Sequence, residues 1–211
     1  MALRHVNRLV PLCVVTLALC LGAFAAVTAQ DARSQLSLAS GRVSIAGSSN
    51  IHEYTASTTA VRVTRLQVAQ GITVANILDE IVKPGALEAF DVVIPAATLS
   101  SPKEGLDKNM HKALKVIDHP DIVFRLQRLE PRGTEPGALR AAGVLKVAGV
   151  ERDVALDITV ERKGATLTVR GTLPLQMPDY GIKPPTAMLG MLKTDPKVTV
   201  SFETVLAIPL T

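Results

Sequence analysis

Histidine, serine and cysteine are the side chains of this 211-residue chain that would carry chemistry most readily, and their spacing decides which chemistry is available. After residue 29 the histidines are His52, His111 and His119, and they form neither an H-E-x-x-H nor an H-x-H pattern, which are spacings of metal ligands. The serine-containing stretches at residues 39–41 and 47–49 lie at the start of the predicted strand region and within it, not in the strand-to-helix turn of a G-x-S-x-G nucleophile. No glycine-rich phosphate loop occurs. The sequence therefore predicts no catalytic residue, no metal site and no cofactor, and the protein is not expected to be an enzyme.

The first 29 residues have the composition of a secretory signal peptide. Arg4 and Arg8 form a basic start, residues 9–27 are mostly apolar, and small residues near Ala25 and Ala29 have the spacing that signal peptidase recognises. A single membrane anchor is the alternative, because the apolar run is close to the roughly 20 residues that span a bilayer. The polar sequence that follows at once favours cleavage. We expect export to the periplasm, cleavage near Ala25 or Ala29, and no stable membrane span afterwards.

Both cysteines of the chain fall within this first segment. Because Cys13 and Cys20 would be removed with it, the exported part, residues 30–211, has no disulfide and must be held by its core. Lipid attachment at Cys20 is disfavoured, since Leu19 is bulky where such a motif needs a small residue.

The exported part is close to neutral in charge. The whole chain has 23 Lys and Arg against 19 Asp and Glu, and removal of Arg4 and Arg8 leaves 21 against 19. Aromatic residues make up 3% of the chain, and no basic cluster alternates with them. We therefore expect no nucleic-acid partner.

Short stretches of alternating apolar and polar residues, punctuated by glycine and proline, predict about eight β-strands. They are residues 42–54, 59–70, 89–94, 122–129, 139–147, 154–160, 165–175 and 197–208. Antiparallel strands in this number hide their edges by closure. The predicted fold class is all-β, an antiparallel β-barrel of about eight strands with one or two short helices.

The two helices are predicted from a different spacing. Within residues 105–115, Asp107 is placed as an N-cap, and Met110, Leu114 and Ile117 follow at helical intervals. This helix is expected to cap one mouth of the barrel or to cross between strands. A second short helix is expected within residues 76–89.

The clearest strand pair is the hairpin of residues 143–160, with its connector predicted at residues 149–152. An eight-stranded barrel is either filled by side chains or holds one slender ligand. Small apolar walls with few aromatic rings favour a cavity, and a packed sandwich core is the alternative. The residues predicted to face the lumen and its ligand are Val43, Ile45, Ile51, Phe90, Val92, Phe124, Leu145, Val147, Val154, Leu156, Ile158, Val200 and Phe202.

Four stretches, taken in order, resemble motifs of the YceI-like family. They are residues 47–54 (GSSNIHEY), similar to the family's G-x-S-x-x-H-[DE]-aromatic strand, then 110–124, 143–150, and 179–186 leading into 197–202. The likeness runs from about Ser40 to Ala207. It implies a lipocalin-like antiparallel barrel, exported to the periplasm, that in some members holds a polyisoprenoid or isoprenoid quinone along its axis. The chain then divides into a signal peptide, residues 1–29, and a YceI-like β-barrel domain, residues 30–211.

Such a ligand fits the composition of the walls. An isoprenoid tail offers apolar surface only, so its burial needs no specific polar contact. A polar head would lie at one mouth, where the candidate residues are Asn50, His52, Tyr54, His111 and Lys183. Each of these five is also acceptable as an ordinary strand or loop residue.

The predicted function is therefore an exported binding protein that holds a long apolar lipid for carriage or sequestration in the cell envelope. The alternative is an envelope partner-binding or stress-related structural module whose barrel is filled by side chains. Residues 173–195 are expected to fold over a mouth as a lid, because methionines and prolines make this segment apolar and pliable. The oligomeric state, a homodimer included, is left open.

Overall fold

The structure is a computed structural model that describes residues 36–73, 75–187 and 191–208. Arg33–Thr211 forms one compact unit, and Met1–Ala32 is assigned to another. The predicted signal peptide lies outside the described residues. Within them the strands and helices are β1 (Ser37–Ser49), β2 (Glu53–Thr58), β3 (Arg62–Val68), α1 (Ile77–Glu80), β4 (Leu87–Pro95), α2 (Glu104–Ala113), β5 (Asp121–Pro131), β6 (Ala138–Val147), β7 (Val150–Lys163), β8 (Thr166–Gln176), β9 (Thr186–Ala187) and β10 (Leu192–Ala207).

The strands form one antiparallel sheet in the order β2-β1-β10-β8-β7-β6-β5-β4-β3, and the short β9 pairs with the start of β10. The two outermost strands, β2 and β3, run in the same direction and are separated by residues 59–61 alone. Val61 packs against Gly41 of β1, which brings the two edges of the sheet together. The sheet therefore curls into a barrel-like shell, and the predicted all-β antiparallel barrel with short helices is confirmed.

The first predicted strand, residues 42–54, is wrong in one respect, because a turn divides it. β1 ends at Ser49 and β2 begins at Glu53. The Ser49 hydroxyl accepts the backbone N–H groups of Ile51 (3.3 Å) and His52 (3.2 Å), so one side chain replaces the ladder partners that a strand would need. The alternation of apolar residues continues through the turn, which is why the sequence pattern concealed it.

The hairpin of β6 and β7 has longer strands and a shorter turn than the sequence indicated. Its turn is the two-residue segment Ala148–Gly149, and Val147 pairs directly with Val150. Both turn residues have positive φ, 49° and 84°, as a two-residue turn of this kind requires. The connector predicted at residues 149–152 is therefore wrong. The predicted faces are correct, since Leu145 and Leu156 are buried while Asp153 is exposed.

Helix α2 begins earlier than predicted. Asp107 is not its N-cap but lies inside the helix, and its Oδ1 accepts the N–H of Ser101 at 2.8 Å. Lys115 has a φ of 55°, which breaks the helical path, so Ile117 leaves the predicted helix face and is 94% exposed. The second predicted helix is present as the single turn α1 within residues 76–89.

The core has two apolar clusters, one toward each end of the shell. At one end α1, the start of β8 and the end of β10 contribute Ile77, Leu167 and Leu206, and we call this the closed end. At the other, Leu114, Leu145 and residues beyond β8 pack together. This mouth end carries the β1–β2 turn, the β4–β5 connection with α2, the β6–β7 turn and the β8–β10 connection. No helix in the described ranges has the length and apolar character needed to cross a bilayer.

Candidate functional site

A cavity of about 470 Å³ lies inside the shell. Its lining residues come from both core clusters, so it extends from the closed end toward the mouth end. Along β6 it is lined from Leu139 to Val147, a path of about 27 Å at roughly 3.4 Å per residue. The volume lies within the range of about 300–1,000 Å³ for small-molecule sites. The space suits a long, slender molecule better than a compact one.

The wall of the cavity is almost entirely apolar, and most residues predicted to face the lumen lie on it. Those that line it are Val43, Ile45, Phe90, Val92, Phe124, Leu145, Val147, Leu156, Ile158, Val200 and Phe202. Ile51 does not, because it lies in the β1–β2 turn and is 61% exposed. Val154 also is not a lining residue; it is half-buried and packs against both core clusters. Contact of these residues with a ligand stays a prediction.

Glycines on neighbouring strands explain how the wall keeps room for a cavity. Phe202 of β10 faces Gly171 of β8 across the ladder, and a Cβ at residue 171 would lie 2.6 Å from its Cζ atom. The ring of Phe124 lies in the same way against Gly143, 3.0 Å from a Cβ built there. These rings cover glycine backbone and so lie along the wall. Three phenylalanines follow residue 29, and two of them are held in this way.

Polar lining residues concentrate at the mouth end. Five lining residues are exposed to solvent, and all five are polar and belong to connections or strand ends there: His52, Lys103, Asn109, Gln176 and Thr186. Ser49, Tyr54, Tyr180 and Thr194 add hydroxyl groups at the same end. Toward the closed end the polar lining residue is Thr204, which is buried. The cavity therefore opens at the mouth end and is apolar along its depth.

Two of the five predicted mouth residues, His52 and Tyr54, line this opening. The other three do not. Asn50 is bonded to the residue before β10, because its Nδ2 donates to the carbonyl of Met191 at 2.8 Å. The Nε2–H of His111 donates to the carbonyl of Leu99 at 2.8 Å, and Lys183 is exposed away from the cavity wall.

The electrostatics of the opening favour hydrogen-bond donors. The described lining residues include the ammonium group of Lys103 and no carboxylate. Burial raises the pKa of the Tyr54 hydroxyl above its ordinary 10.0, and the negative charge of Asp195 raises it further. Tyr54 therefore keeps its proton at neutral pH and remains a donor. The mouth is suited to a polar head that accepts hydrogen bonds.

Sequence reasoning missed the contribution of α2 to the opening. Lys103, Leu106, Asn109, Met110 and Ala113 all line the cavity. Their spacing of three to four residues is that of one helix face, which could have identified them once the helix was predicted.

The described part of residues 173–195 builds one side of the mouth. Met177, Tyr180 and Ile182 line the cavity, and the last two are buried. Residues 188–190, which include Met188 and Leu189, lie outside the described residues. Movement of this segment as a lid stays a prediction.

Among the described residues, no group of three or more His, Cys, Asp or Glu side chains is placed to hold a metal ion. The polar groups at the mouth do not form a nucleophile and base pair within hydrogen-bond reach in the described structure. What the arrangement can do is enclose a slender apolar molecule and orient its polar end.

Solved structures of other proteins have a similar architecture. Burkholderia cenocepacia BcnA matches with a TM-score of 0.62 at 15% identity, over 78% of this chain and 95% of that one. A polyisoprenoid-binding domain from Saccharophagus degradans, implicated in plant cell wall breakdown, matches with a TM-score of 0.61 at 13% identity, over 84% and 100%. The Campylobacter jejuni YCEI protein matches with a TM-score of 0.51 at 14% identity, over 72% and 85%. At these identities the likeness establishes the fold.

No curated protein matched the sequence. The model of the YceI-like domain, however, matches residues 28–206, which is most of the chain and includes every strand and both helices described above, apart from the last residue of β10. The chain belongs to the YceI-like family.

Proposed function

We propose that this protein binds one long apolar lipid of the polyisoprenoid or isoprenoid quinone class inside the barrel. The observation that carries the proposal is the cavity inside the shell, which is almost entirely apolar along its depth and has its exposed polar lining residues where it opens. The name of the Saccharophagus degradans domain, which has the same fold, points to the same ligand class. Burial of apolar surface gains roughly 25 cal/mol per Å², so a tail of this kind is held without specific polar contacts.

The polar end of the lipid lies at the mouth in this proposal. Lys103, Asn109 and Gln176 offer N–H donors there, and Tyr54 offers a hydroxyl. A quinone carbonyl, a hydroxyl or a phosphate would accept from them, whereas a cationic head would find no carboxylate among the described lining residues. The function proposed for this site is the binding of one lipid.

Extraction of the purified protein with organic solvent, followed by mass spectrometry, tests the ligand. A long apolar molecule in near-stoichiometric amount is expected. A protein without extractable lipid, which also takes up none from a mixture of prenyl lipids, would contradict the proposal and favour the alternative of a partner-binding module.

We further propose that the protein is exported and carries or sequesters its lipid in the cell envelope. The basic start, the apolar run and the small residues near Ala25 and Ala29 support this step. N-terminal sequencing of protein recovered from the periplasmic fraction should begin near residue 26 or residue 30. Recovery of an intact Met1 in the cytoplasm would contradict it.

Enlarging an inward side chain should block the cavity. Leu156 lines it and is buried, so Leu156→Trp places a large ring in the space that the lipid would occupy, and Val147→Phe does the same nearer the mouth. Extracted lipid should fall several-fold or vanish, while overpacking costs about 1–3 kcal/mol of unfolding free energy.

The matched control is Thr159→Trp, which is exposed on the outer face of the same strand. It should leave the lipid content unchanged. Thermal unfolding of each variant shows that the fold survives. An unchanged lipid load in Leu156→Trp would mean that the ligand lies elsewhere.

A further inference from the structure

The large apolar side chains that the described structure leaves exposed all lie at the mouth end. They are Ile51, Ile117 and Met191, with 61%, 94% and 69% of their surface exposed. A single exposed apolar residue is ordinary on a protein surface. Three of them confined to the end where an apolar cavity opens are not explained by the core or by the cavity wall.

Ile51 lies in the β1–β2 turn and Met191 just before β10, and hydrogen bonds of Asn50 join these two segments. Asn50 donates from Nδ2 to the carbonyl of Met191 at 2.8 Å, and its Oδ1 accepts the N–H of Lys193 at 2.8 Å. The N–H of Asn50 also donates to the carbonyl of Lys193 at 3.1 Å. The two exposed side chains therefore lie on neighbouring segments that hydrogen bonds hold together.

Ile117 projects from a second fixed turn, after α2. The N–H of His119 donates to the carbonyl of Lys115 at 2.8 Å, and the His119 ring packs against Gly149 of the β6–β7 turn. The β5 strand that follows is separated from β1 and β10 by several strands of the shell. The three exposed apolar side chains are thus distributed around the mouth.

The β4–β5 connection, which contains α2 and lies at the same end, carries exposed lysines in α2 and in the turn after it. Lys108 and Lys112 of α2 and Lys115 in the turn after it are exposed, and none of the three forms an ion pair in the described part of the chain. On the barrel wall, by contrast, Arg170 is paired with both Glu161 and Glu203. The acidic residues of the same connection are Glu104, Asp107 and Asp118, and Asp107 is turned to the Ser101 N–H.

We propose that the mouth end docks on the surface of an anionic lipid bilayer. Ile51, Ile117 and Met191 enter the interfacial region, and the three lysines of α2 and the turn after it lie against the negatively charged head groups. This use of the surface rests on the proposed function, because docking mouth-first lets an apolar ligand pass between bilayer and cavity without crossing water. The binding itself requires no ligand.

Co-sedimentation with vesicles tests the proposal, with the compact unit Arg33–Thr211 as the protein, so that the apolar first segment contributes nothing. Thermal unfolding establishes that this unit and each variant are folded. The vesicles are phosphatidylcholine alone and phosphatidylcholine with phosphatidylglycerol. We expect binding to the anionic vesicles, weakened by salt.

Two variants separate the contributions. Lys108→Gln, Lys112→Gln and Lys115→Gln together should weaken binding to anionic vesicles by about fivefold per lysine, since each basic residue near such a surface contributes about 1 kcal/mol. Ile51→Ser, Ile117→Ser and Met191→Ser together should weaken it by about tenfold or more. Lys163→Gln, at the exposed closed-end terminus of β7, is the matched control and should change nothing.

Binding that is equal for both vesicle types, or unchanged in both triple variants, overturns the proposal. A concentration-dependent dimer in light scattering that the apolar triple variant abolishes, with no vesicle binding, would assign the surface to a second copy of the chain instead. Solvent extraction of the same preparations shows which of the two proposals, membrane docking or lipid binding in the cavity, has failed. Lipid present in the cavity without vesicle binding refutes docking alone, whereas vesicle binding by a protein that never holds lipid refutes the proposed function alone.

Discussion

At the scale of single residues, glycines determine where the aromatic rings of the wall can lie. Phe202 lies over Gly171, Phe124 over Gly143, and Tyr54 over Gly47 of the neighbouring strand. A β-carbon at any of these glycines would meet the ring. The rings are thereby kept along the wall, and the space between them remains available to a ligand.

Two alanine substitutions at these glycines should differ in cost. At residue 171 the new Cβ meets the tip of the Phe202 ring, which can turn toward the lumen, so Gly171→Ala should cost about 1–3 kcal/mol and reduce the lipid load. At residue 143 it would also meet the carbonyl oxygen of Arg125, which is backbone and cannot turn away. Gly143→Ala should therefore destabilise more.

Denaturant unfolding together with lipid extraction measures both effects. The matched control is Gly105→Ala in α2, where a Cβ meets nothing within 4 Å and helix propensity improves. Equal stability of the variants at residues 143 and 171 would show that the wall adapts to both in the same way.

At the scale of elements, the mouth is assembled from connections that are far apart in sequence. Helix α2 lines one side with Leu106 and Met110, and the segment after β8 lines another with Met177 and Ile182. The β1–β2 turn is joined to the start of β10 through the bonds of Asn50 to Met191 and Lys193. Because such connections carry few ladder hydrogen bonds, individual side-chain contacts decide how firmly they are held.

Removal of the Asn50 side chain should loosen the chain at the start of β10, around Met191 and Lys193. In Asn50→Ala the carbonyl of Met191 and the N–H of Lys193 lose their partners, so we expect faster amide hydrogen exchange at Lys193 and a loss of about 1 kcal/mol of stability. Amide hydrogen exchange, measured residue by residue in Asn50→Ala and in the unsubstituted protein, tests this prediction.

Asn109→Ala is the matched control for this change. Asn109 is an exposed amide at the same mouth, and no hydrogen bond of its side chain occurs within the described structure. Its substitution should leave exchange at Lys193 unaltered. Equal exchange in Asn50→Ala and the unsubstituted protein would contradict the role of Asn50.

At the scale of the whole molecule, the barrel-like unit combines a continuous apolar cavity with an outer wall of paired charges. Arg170 Nε lies 2.6 Å from Glu203 Oε2, and Arg140 Nε lies 3.2 Å from Asp157 Oδ1. Exposed pairs of this kind contribute about 1 kcal/mol or less each, so they keep the wall soluble more than they stabilise it. Stability depends instead on the two apolar clusters and on what occupies the space between them.

A bound lipid should therefore raise the thermal stability of the whole unit. Ligand at about 100 times its dissociation constant adds about 2.7 kcal/mol, which corresponds to a rise in Tm of about 5–10 °C for a unit of this size. Calorimetry of delipidated protein before and after loading with a prenyl lipid measures the shift.

The blocked variant Leu156→Trp supplies the comparison. It should show little or no rise in Tm under the same loading, whereas Thr159→Trp should behave as the unsubstituted protein. A rise of equal size in Leu156→Trp would mean that the lipid stabilises the protein from outside the cavity.

The sequence by itself determined the class of fold and the faces of its strands. Alternation of apolar and polar residues with a period of two is a local property, so an inward face can be predicted before any partner strand is known. The residues predicted to face inward in this hairpin, Leu145, Val147, Leu156 and Ile158, are buried and line the cavity. The short helices and the family were also recognisable from local spacing and motifs. The signal peptide remains a prediction from the sequence.

Only the tertiary structure decided how the mouth is built and whether the barrel is filled. Asn50 bonds to residues 141 and 143 positions away, and no local pattern reveals such a partner. The β1–β2 turn interrupts an alternation that continues through it, which is why Ile51 was placed in the lumen. The cavity exists because rings of one strand lie over glycines of the next, and that depends on register between strands, a property no single segment of sequence contains.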